Sequence, residues 1–457
     1  MPQFDSIVVG TGQAGPSLAH RLANAGKRVA VIERLHFGGT CVNTGCTPTK
    51  TWVASAYAAH IAHRAGDFGV AIGGPVTVDM PRVRARKEDI VSASRTGVER
   101  GLRNQANITV YQGHARLASP TSLVVGGETL SADKIFLNVG GRAVIPDIPG
   151  LGDVPYLTNS SLLEIDAVPP HLIVVGGSYV GLEFAQMFRR FGSEVSIIEV
   201  GPRLIAREDA DVSAAIADIL AREGIDITVG AGGLTLARRG TDIVARCTAD
   251  GRSKECIGSH LLIAVGRRPN TDDLGLDKAG IATDAHGYIK VADDLSTNVS
   301  GIWALGDCNG RGAFTHTAYN DFEIVAANLL DGERRRVSDR ITAYNLYIDP
   351  PLGRVGMTEA EVRRFGRPAL RGTLAMENVS RAFEKGETLG FMKVLVDSES
   401  RHILGASILG VTGDEVIQAL LTLMYAKAPV TVMQRAVYIH PTVSEFLPTL
   451  LGNLKPL

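Results

Sequence analysis

The sequence lacks the features of a secreted scaffold, a membrane protein or a nucleic-acid binder. It has five cysteines in 457 residues, and three of them, Cys247, Cys256 and Cys308, show no pairing pattern. That excludes a disulfide-stapled secreted domain and points to a cytoplasmic protein. No signal peptide is expected, because no charged stretch followed by a long apolar one precedes the first predicted strand at Ser6. The longest apolar runs, such as Leu172 to Val175 and Leu261 to Val265, are far too short to span a bilayer. With 47 Lys and Arg against 48 Asp and Glu, no basic face is implied for nucleic acid or an anionic membrane. Short basic runs, Arg334-Arg335-Arg336 and Arg82 to Lys87, read as solvated loop or helix faces. Aromatic residues are scarce at 5%, and no low-complexity segment occurs.

Glycine is plentiful, at 51 residues, which suggests many tight strand-to-helix turns and an α/β enzyme. The length exceeds what one hydrophobic core supports and predicts about three domains. Two stretches share one design. A predicted strand Ser6 to Val9 runs into Gly10-Thr-Gly12-Gln-Ala14-Gly15, a helix-like run, a strand Arg28 to Ile32 and Glu33. A second strand, Leu172 to Val175, runs into Gly176-Gly-Ser178-Tyr179-Val180-Gly181, a helix to Phe191, a strand Glu194 to Ile198 and Glu199. Glu33 follows Gly10 at the interval at which Glu199 follows Gly176. Each copy therefore reads as a dinucleotide-binding β-α-β unit: glycines for the turn and close approach of a pyrophosphate, a helix N-terminus for its charge, and an acid for a ribose. Ser178 stands where the second copy should have its middle glycine, and adds a side chain there.

Between the two copies lies Gly38-Gly39-Thr40-Cys41-Val-Asn43-Thr44-Gly45-Cys46-Thr47-Pro-Thr-Lys50. Cys41 and Cys46 are close enough to close a small disulfide ring, provided that the first helical turn is distorted, which Gly45 permits and Asn43 tolerates. A disulfide held against a redox cofactor is an electron relay. The other readings are a fortuitous thiol pair or half of a metal site, but no second Cys pair or Cys/His cluster lies nearby, and no metal centre is expected. Near the C-terminus, His440 and Glu445 in Tyr438-Ile-His440-Pro-Thr-Val-Ser444-Glu445 offer an imidazole for proton transfer near neutral pH and a carboxylate to orient it. A helix cap at Ser444 is the plain alternative.

These stretches resemble the pyridine nucleotide-disulfide oxidoreductases, the family of dihydrolipoamide dehydrogenase, glutathione reductase and mercuric reductase. The resemblance covers nearly the whole chain. It implies two Rossmann-like dinucleotide-binding domains, for FAD and NAD(P), plus a C-terminal α+β dimerisation domain: residues 1–149 for FAD, 150–269 for NAD(P), 270–339 returning to the FAD domain, and 340–457 as the interface. Strands at Phe391 to Val396 and Ile403 to Leu409, and a helix at Gly413 to Tyr425, are expected in the last part.

By the same resemblance FAD is held by Gly10, Gly12, Ala14, Gly15, Glu33, Gly39, Thr40 and Lys50. Ala115, beside His114, lies at the adenine unless the stretch is a plain turn; Asp307 receives the ribityl chain, and Thr315 and His316 approach the pyrimidine side. The nicotinamide nucleotide is held by Gly176, Tyr179, Val180, Gly181, Glu199 and Gly266. Tyr179 covers the flavin face until nicotinamide displaces it, or is a packed helix residue. Lys50 lies against the flavin and pairs with Glu183, or is an exposed helix residue. Electrons pass from NAD(P)H through the flavin to Cys46, freeing Cys41 to attack a disulfide while His440, supplied by the partner in a homodimer, manages protons. Glu199 favours NADH, since it repels a 2′-phosphate, although Arg203 lies close enough to swing toward one. The substrate is expected to be a small thiol or disulfide. The alternative is a metal ion, Hg(II) or Cu(II), but the chain has His440 and no cysteine after Cys308, both unlike the mercuric members.

Overall fold

The structure, a computed structural model, describes residues 2–457; Met1, where the first expected domain begins, lies outside them. The first sheet is parallel at its centre, in the order Ile108–Gln112, Val29–Glu33, Gln3–Val9, Glu128–Leu137, with Ile302–Ala304 pairing on Glu128–Leu137. Ser122–Val125 and Arg116–Ser119 extend it antiparallel. Pairing of Ser6 with Val29 and of Ile7 with Ile135 brings the first glycine turn to the carboxyl end of the central strands, where open α/β sheets bind ligands.

A second parallel sheet has the order Asp226–Thr228, Glu194–Ile198, His171–Val175, His260–Ile263, and carries a three-stranded antiparallel sheet, Gly232–Arg239, Asp242–Ala249 and Arg252–Gly258. The residues that close each copy's turn match. Gly10 N donates to Ile32 O at 2.8 Å, and Gly176 N to Ile198 O at 2.9 Å. A Cβ at Gly10 would meet Asn138 O at 2.2 Å, and one at Gly176 would meet Ala264 O at 2.4 Å.

The C-terminal part is a six-stranded antiparallel sheet in the order Ala343–Leu346, Leu352–Gly356, Ile403–Leu409, Phe391–Asp397, Ala369–Ala375, Lys455–Pro456, with the helix Gly413–Tyr425 laid across it. The expected strand Ile403–Leu409 forms, and all seven of its residues are buried. On one face Ile408 packs among the helix residues Val416, Ile417 and Leu420. On the other, Ser407 accepts from Arg354 at 2.8 Å, under the second dinucleotide unit. No helix among the described residues is long and apolar enough to cross a membrane.

Candidate active site

The stretch Gly38 to Lys50 folds as two helices, Gly39–Asn43 and Cys46–His63, broken at Thr44-Gly45. The break is built. A Cβ at Gly45 would lie 2.8 Å from Thr40 O, so only glycine lets the second helix start there. Asn43 Nδ2 donates to Phe37 O and Gly39 O at 2.9 and 2.8 Å, while its Oδ1 accepts from Arg95 Nε at 2.8 Å. Asn159 Nδ2 holds Thr44 O at 2.8 Å. Gly39 presses against the first dinucleotide turn: its Cβ would stand 2.7 Å from Gly12 Cα. This contact fixes the cysteine segment beside that turn.

Cys41 and Cys46 flank this break as free cysteines, each acting on the other's protonation. The pair is unequal. Hydrogen bonding from Cys41 brings the Cys46 thiol down to about 6 against the opposing effect of burial, helped by Thr315 and the Lys50 ammonium; Cys41 is pushed far up, first by that same bond and then by burial. Lys50 Nζ pairs with Glu183 Oε2 at 2.7 Å and lies 4.7 Å from the centre of the Tyr347 ring. The backbone N–H of Tyr347 donates to the other Glu183 oxygen at 3.0 Å.

A cavity of about 950 Å³ runs past these groups. Of the expected FAD residues, Gly10, Gly12, Glu33, Gly39, Thr40, Lys50, Ala115, Asp307, Thr315 and His316 line it; Ala14 and Gly15 stand behind the turn. The residues fit FAD. The helix Ala14–Asn24 begins without a side-chain cap, leaving backbone N–H groups for a pyrophosphate. A Cβ on Gly15 would strike Gly10 O at 2.2 Å. Asn138 Nδ2 is buried without a partner beside Gly12. Burial pushes the Asp307 carboxyl up against the pull of Arg267, 3.7 Å away.

Tyr179, Val180 and Glu183 line the same cavity, whereas Gly176, Gly181, Glu199 and Gly266 do not. Glu199 is held like Glu33. One oxygen accepts from the turn, from Gly177 N at 2.5 Å as Glu33 does from Thr11 N at 3.1 Å. The other accepts from the residue two places on, from Gly201 N at 2.6 Å as Glu33 does from Leu35 N at 2.8 Å. The glycine that keeps the second turn tight against its acid is Gly177, where a Cβ would lie 2.6 Å from Leu204. Arg203 is turned to the carbonyls of Ala206 and Glu208, both at 3.1 Å.

His440 and Glu445 are brought together, with His440 Nδ1 3.0 Å from Glu445 Oε2, but not to the cysteines: the imidazole is 74% exposed and outside the cavity. Val437 and Ile439 beside it are 99% and 80% exposed. Sequence reasoning assigned no role to Asn138, Arg267, Tyr347 or Phe314. Phe314, the residue before Thr315, stacks with His316 and Tyr344 and lies 5.7 Å from the Tyr179 ring. Asn138 and Arg267 had local signals, in the fragments Asn138-Val-Gly-Gly and Ala264-Val-Gly-Arg267, each after an apolar strand.

Comparison with known proteins agrees with this geometry. Residues 4–321 match the family model described as pyridine nucleotide-disulphide oxidoreductase, and residues 342–451 match its dimerisation domain. A relative from Escherichia coli, named probable pyridine nucleotide-disulfide oxidoreductase RclA, is 36% identical over the full length of both chains. A mercuric reductase of Streptomyces lividans is 33% identical, covering 97% of this chain and 94% of its own. A dihydrolipoyl dehydrogenase of Chlamydia muridarum is 31% identical, covering 97% and 95%. Among solved structures, the Cu(II) complex of the HOCl-induced flavoprotein disulfide reductase RclA from Escherichia coli superposes with a TM-score of 0.90 at 34% identity, covering 99% of each chain. The chain thus belongs to the pyridine nucleotide-disulphide oxidoreductase family, as a flavoprotein disulfide reductase with two dinucleotide-binding domains and a dimerisation domain.

Proposed function

We propose that the chain is an NAD(P)H-dependent, FAD-containing oxidoreductase that passes electrons between the nicotinamide nucleotide and a small thiol or disulfide substrate through Cys46 and Cys41. In this reading residues 1–149 and 270–339 hold FAD, 150–269 hold the nicotinamide nucleotide, and 340–457 meet a second subunit; cysteine usage favours a cytoplasmic setting. The observation that carries it is a single cavity lined by the first dinucleotide turn, Cys46, Lys50 and Tyr179. FAD, when bound, would take hydride from the nicotinamide and hand an electron pair to the disulfide.

The chain's own residues do the rest. Gly10 and Gly12 would bring backbone against the pyrophosphate, Gly15 lets the helix pack close on that turn, and Glu33 would hold a ribose. Lys50, paired with Glu183, puts positive charge beside Cys46. Cys41 keeps its proton when Cys46 is charged, so its attack on a substrate disulfide needs a base. His440, oriented by Glu445 and supplied by the second subunit, is that base. Glu199 and the committed guanidinium of Arg203 favour NADH over NADPH.

The second reading is a metal-ion reductase. It draws on the Escherichia coli relative, whose structure is titled a Cu(II) complex. A steady-state panel of dihydrolipoamide with NAD, glutathione disulfide, other small disulfides, Hg(II) and Cu(II) separates the two. Disulfide turnover that disappears in His440→Gln supports the first; metal reduction that persists in His440→Gln, without disulfide turnover in the parent, replaces it with the second.

A further inference from the structure

Cys256 takes no part in the electron path, yet its surroundings are not those of an inert thiol. It lies on the strand Arg252–Gly258 with its Sγ 3.9 Å from His171 Nε2. His171 opens the strand His171–Val175, at the end of the second parallel sheet away from the glycine turn that follows Val175. The same Nε2 is 3.0 Å from Ser196 Oγ, and the other ring nitrogen, Nδ1, is 3.6 Å from Glu194 Oε2. A sulfur, an imidazole nitrogen and a hydroxyl thus converge from three strands, with a carboxylate behind the ring. Cys256 packs at the edge of the apolar layer between the antiparallel and parallel sheets, and Ser196 is buried in that layer.

We propose that Cys256 and His171 form a second site, which binds one thiophilic d10 cation of low coordination number such as Cu(I). The site uses none of the residues of the proposed oxidoreductase centre. On binding, the Cys256 S–H bond breaks, its proton leaves to solvent, and a sulfur-to-metal bond forms with no change in oxidation state. His171 Nε2 bonds the metal from the other side. Glu194 at Nδ1 favours the tautomer that leaves the Nε2 lone pair free, the arrangement that stands behind metal-bound histidines. Burial holds this imidazole below its usual range, so it meets the metal as a neutral ligand. The number of donors selects the ion. Among the described residues no group of three His, Cys, Asp or Glu can hold a metal, so a tetrahedral zinc site is not formed. A two-coordinate cation needs only the pair, and thiolate with imidazole suits copper. Collinear bonds of about 2.3 Å to sulfur and about 2.0 Å to nitrogen span about 4.3 Å, so the 3.9 Å separation requires only a bent bridge. Ser196 Oγ stands where it would complete a three-coordinate set. A disulfide does not compete for Cys256: Cys247 faces Lys254, not Cys256, across the ladder, and such diagonal neighbours stand about 7–8 Å apart.

The test uses holoprotein carrying Cys41→Ser and Cys46→Ser, so that the dithiol does not compete and the outcome is independent of the relay. Cu(I) is supplied anaerobically as its bicinchoninate complex, and the copper retained after desalting is counted. About one equivalent per chain is expected. Adding Cys256→Ala should abolish retention, His171→Phe should weaken it at least tenfold, and Glu194→Gln should weaken it less than His171→Phe. In the same samples bound copper should shield Cys256 from alkylation by iodoacetamide, mapped by mass spectrometry, and leave Cys247 and Cys308 unchanged. Absence of retained Cu(I), retention undiminished by Cys256→Ala, or shielding at Cys247 or Cys308 in place of Cys256 overturns the proposal. Where a variant fails to fold, shielding in the double-serine protein decides.

Discussion

Cys41 and Cys46 flank the helix break at Thr44-Gly45, and what surrounds each sulfur differs. With a midpoint near 6, Cys46 is ionised roughly ten to one at pH 7 and protonated roughly ten to one at pH 5. Lys50 lowers that midpoint and Glu183 raises it. Lys50→Met should therefore move the labelling midpoint of Cys46 up by about one pH unit, and Glu183→Gln should move it down by less, since Lys50 already screens that carboxylate. A Lys50→Met protein with an unshifted midpoint would contradict the electrostatic account. At this scale the residues with a local signal were legible: the cysteines, Lys50 one turn on, and Glu183 just after the second glycine turn. Tyr347 and Phe314 were not, because an aromatic just after a strand or just before a helix says nothing of which cation or ring will meet it.

The two β-α-β elements were legible in both type and position, since glycine, strand and acid keep the same spacing in each. What the pattern missed is that the second copy needs a glycine at Gly177, where a Cβ would lie 3.0 Å from Glu199, while the first copy has Thr11 there, its backbone N–H donating to Glu33. Because the elements are separate, lesions in them should separate too. Gly15→Ala would drive a Cβ to 2.2 Å from Gly10 O and should yield protein with little flavin. Gly181→Ala would drive one to 2.1 Å from Gly176 O and should keep flavin but lose reduction by NADH at least tenfold, a penalty of roughly 1.4 kcal/mol or more. Flavin-to-protein absorbance ratios and stopped-flow bleaching check both. The cysteine element was read correctly as a distorted helix start, while its anchoring by Arg95 and Asn159 was hidden by sequence distance.

Across the whole molecule, the second dinucleotide unit docks on the C-terminal sheet through buried charge. Lys393 Nζ, 1% exposed, meets Asp209 at 2.9 Å and Asp211 at 2.7 Å, while Arg354 and Tyr344 close on Glu208. None of this was legible, because the partners lie more than 100 positions apart. Lys393→Met leaves Asp209 buried without its cation and should cost about 3 kcal/mol in denaturant unfolding. Burial pushes the Asp209 carboxyl up, but Lys393 and the Glu359 backbone N–H outweigh it and hold it below the usual range. Its contribution is therefore present above the ordinary carboxylate value near 4 and fades as pH falls below it, and that part of the acid sensitivity should vanish in Lys393→Met. At the other end, exposed Val437 and Ile439 flank His440. Ile439→Asp should raise the monomer fraction in sedimentation and lower disulfide turnover while NADH still reduces the flavin. The electron path joins all these parts, and a thiol count on denatured protein tests it most directly. With five cysteines in the chain, the oxidised parent should show about three thiols and, after anaerobic NADH, about five, with no gain in Cys41→Ser; a parent count that stays the same before and after NADH, while the flavin is reduced, would contradict the relay.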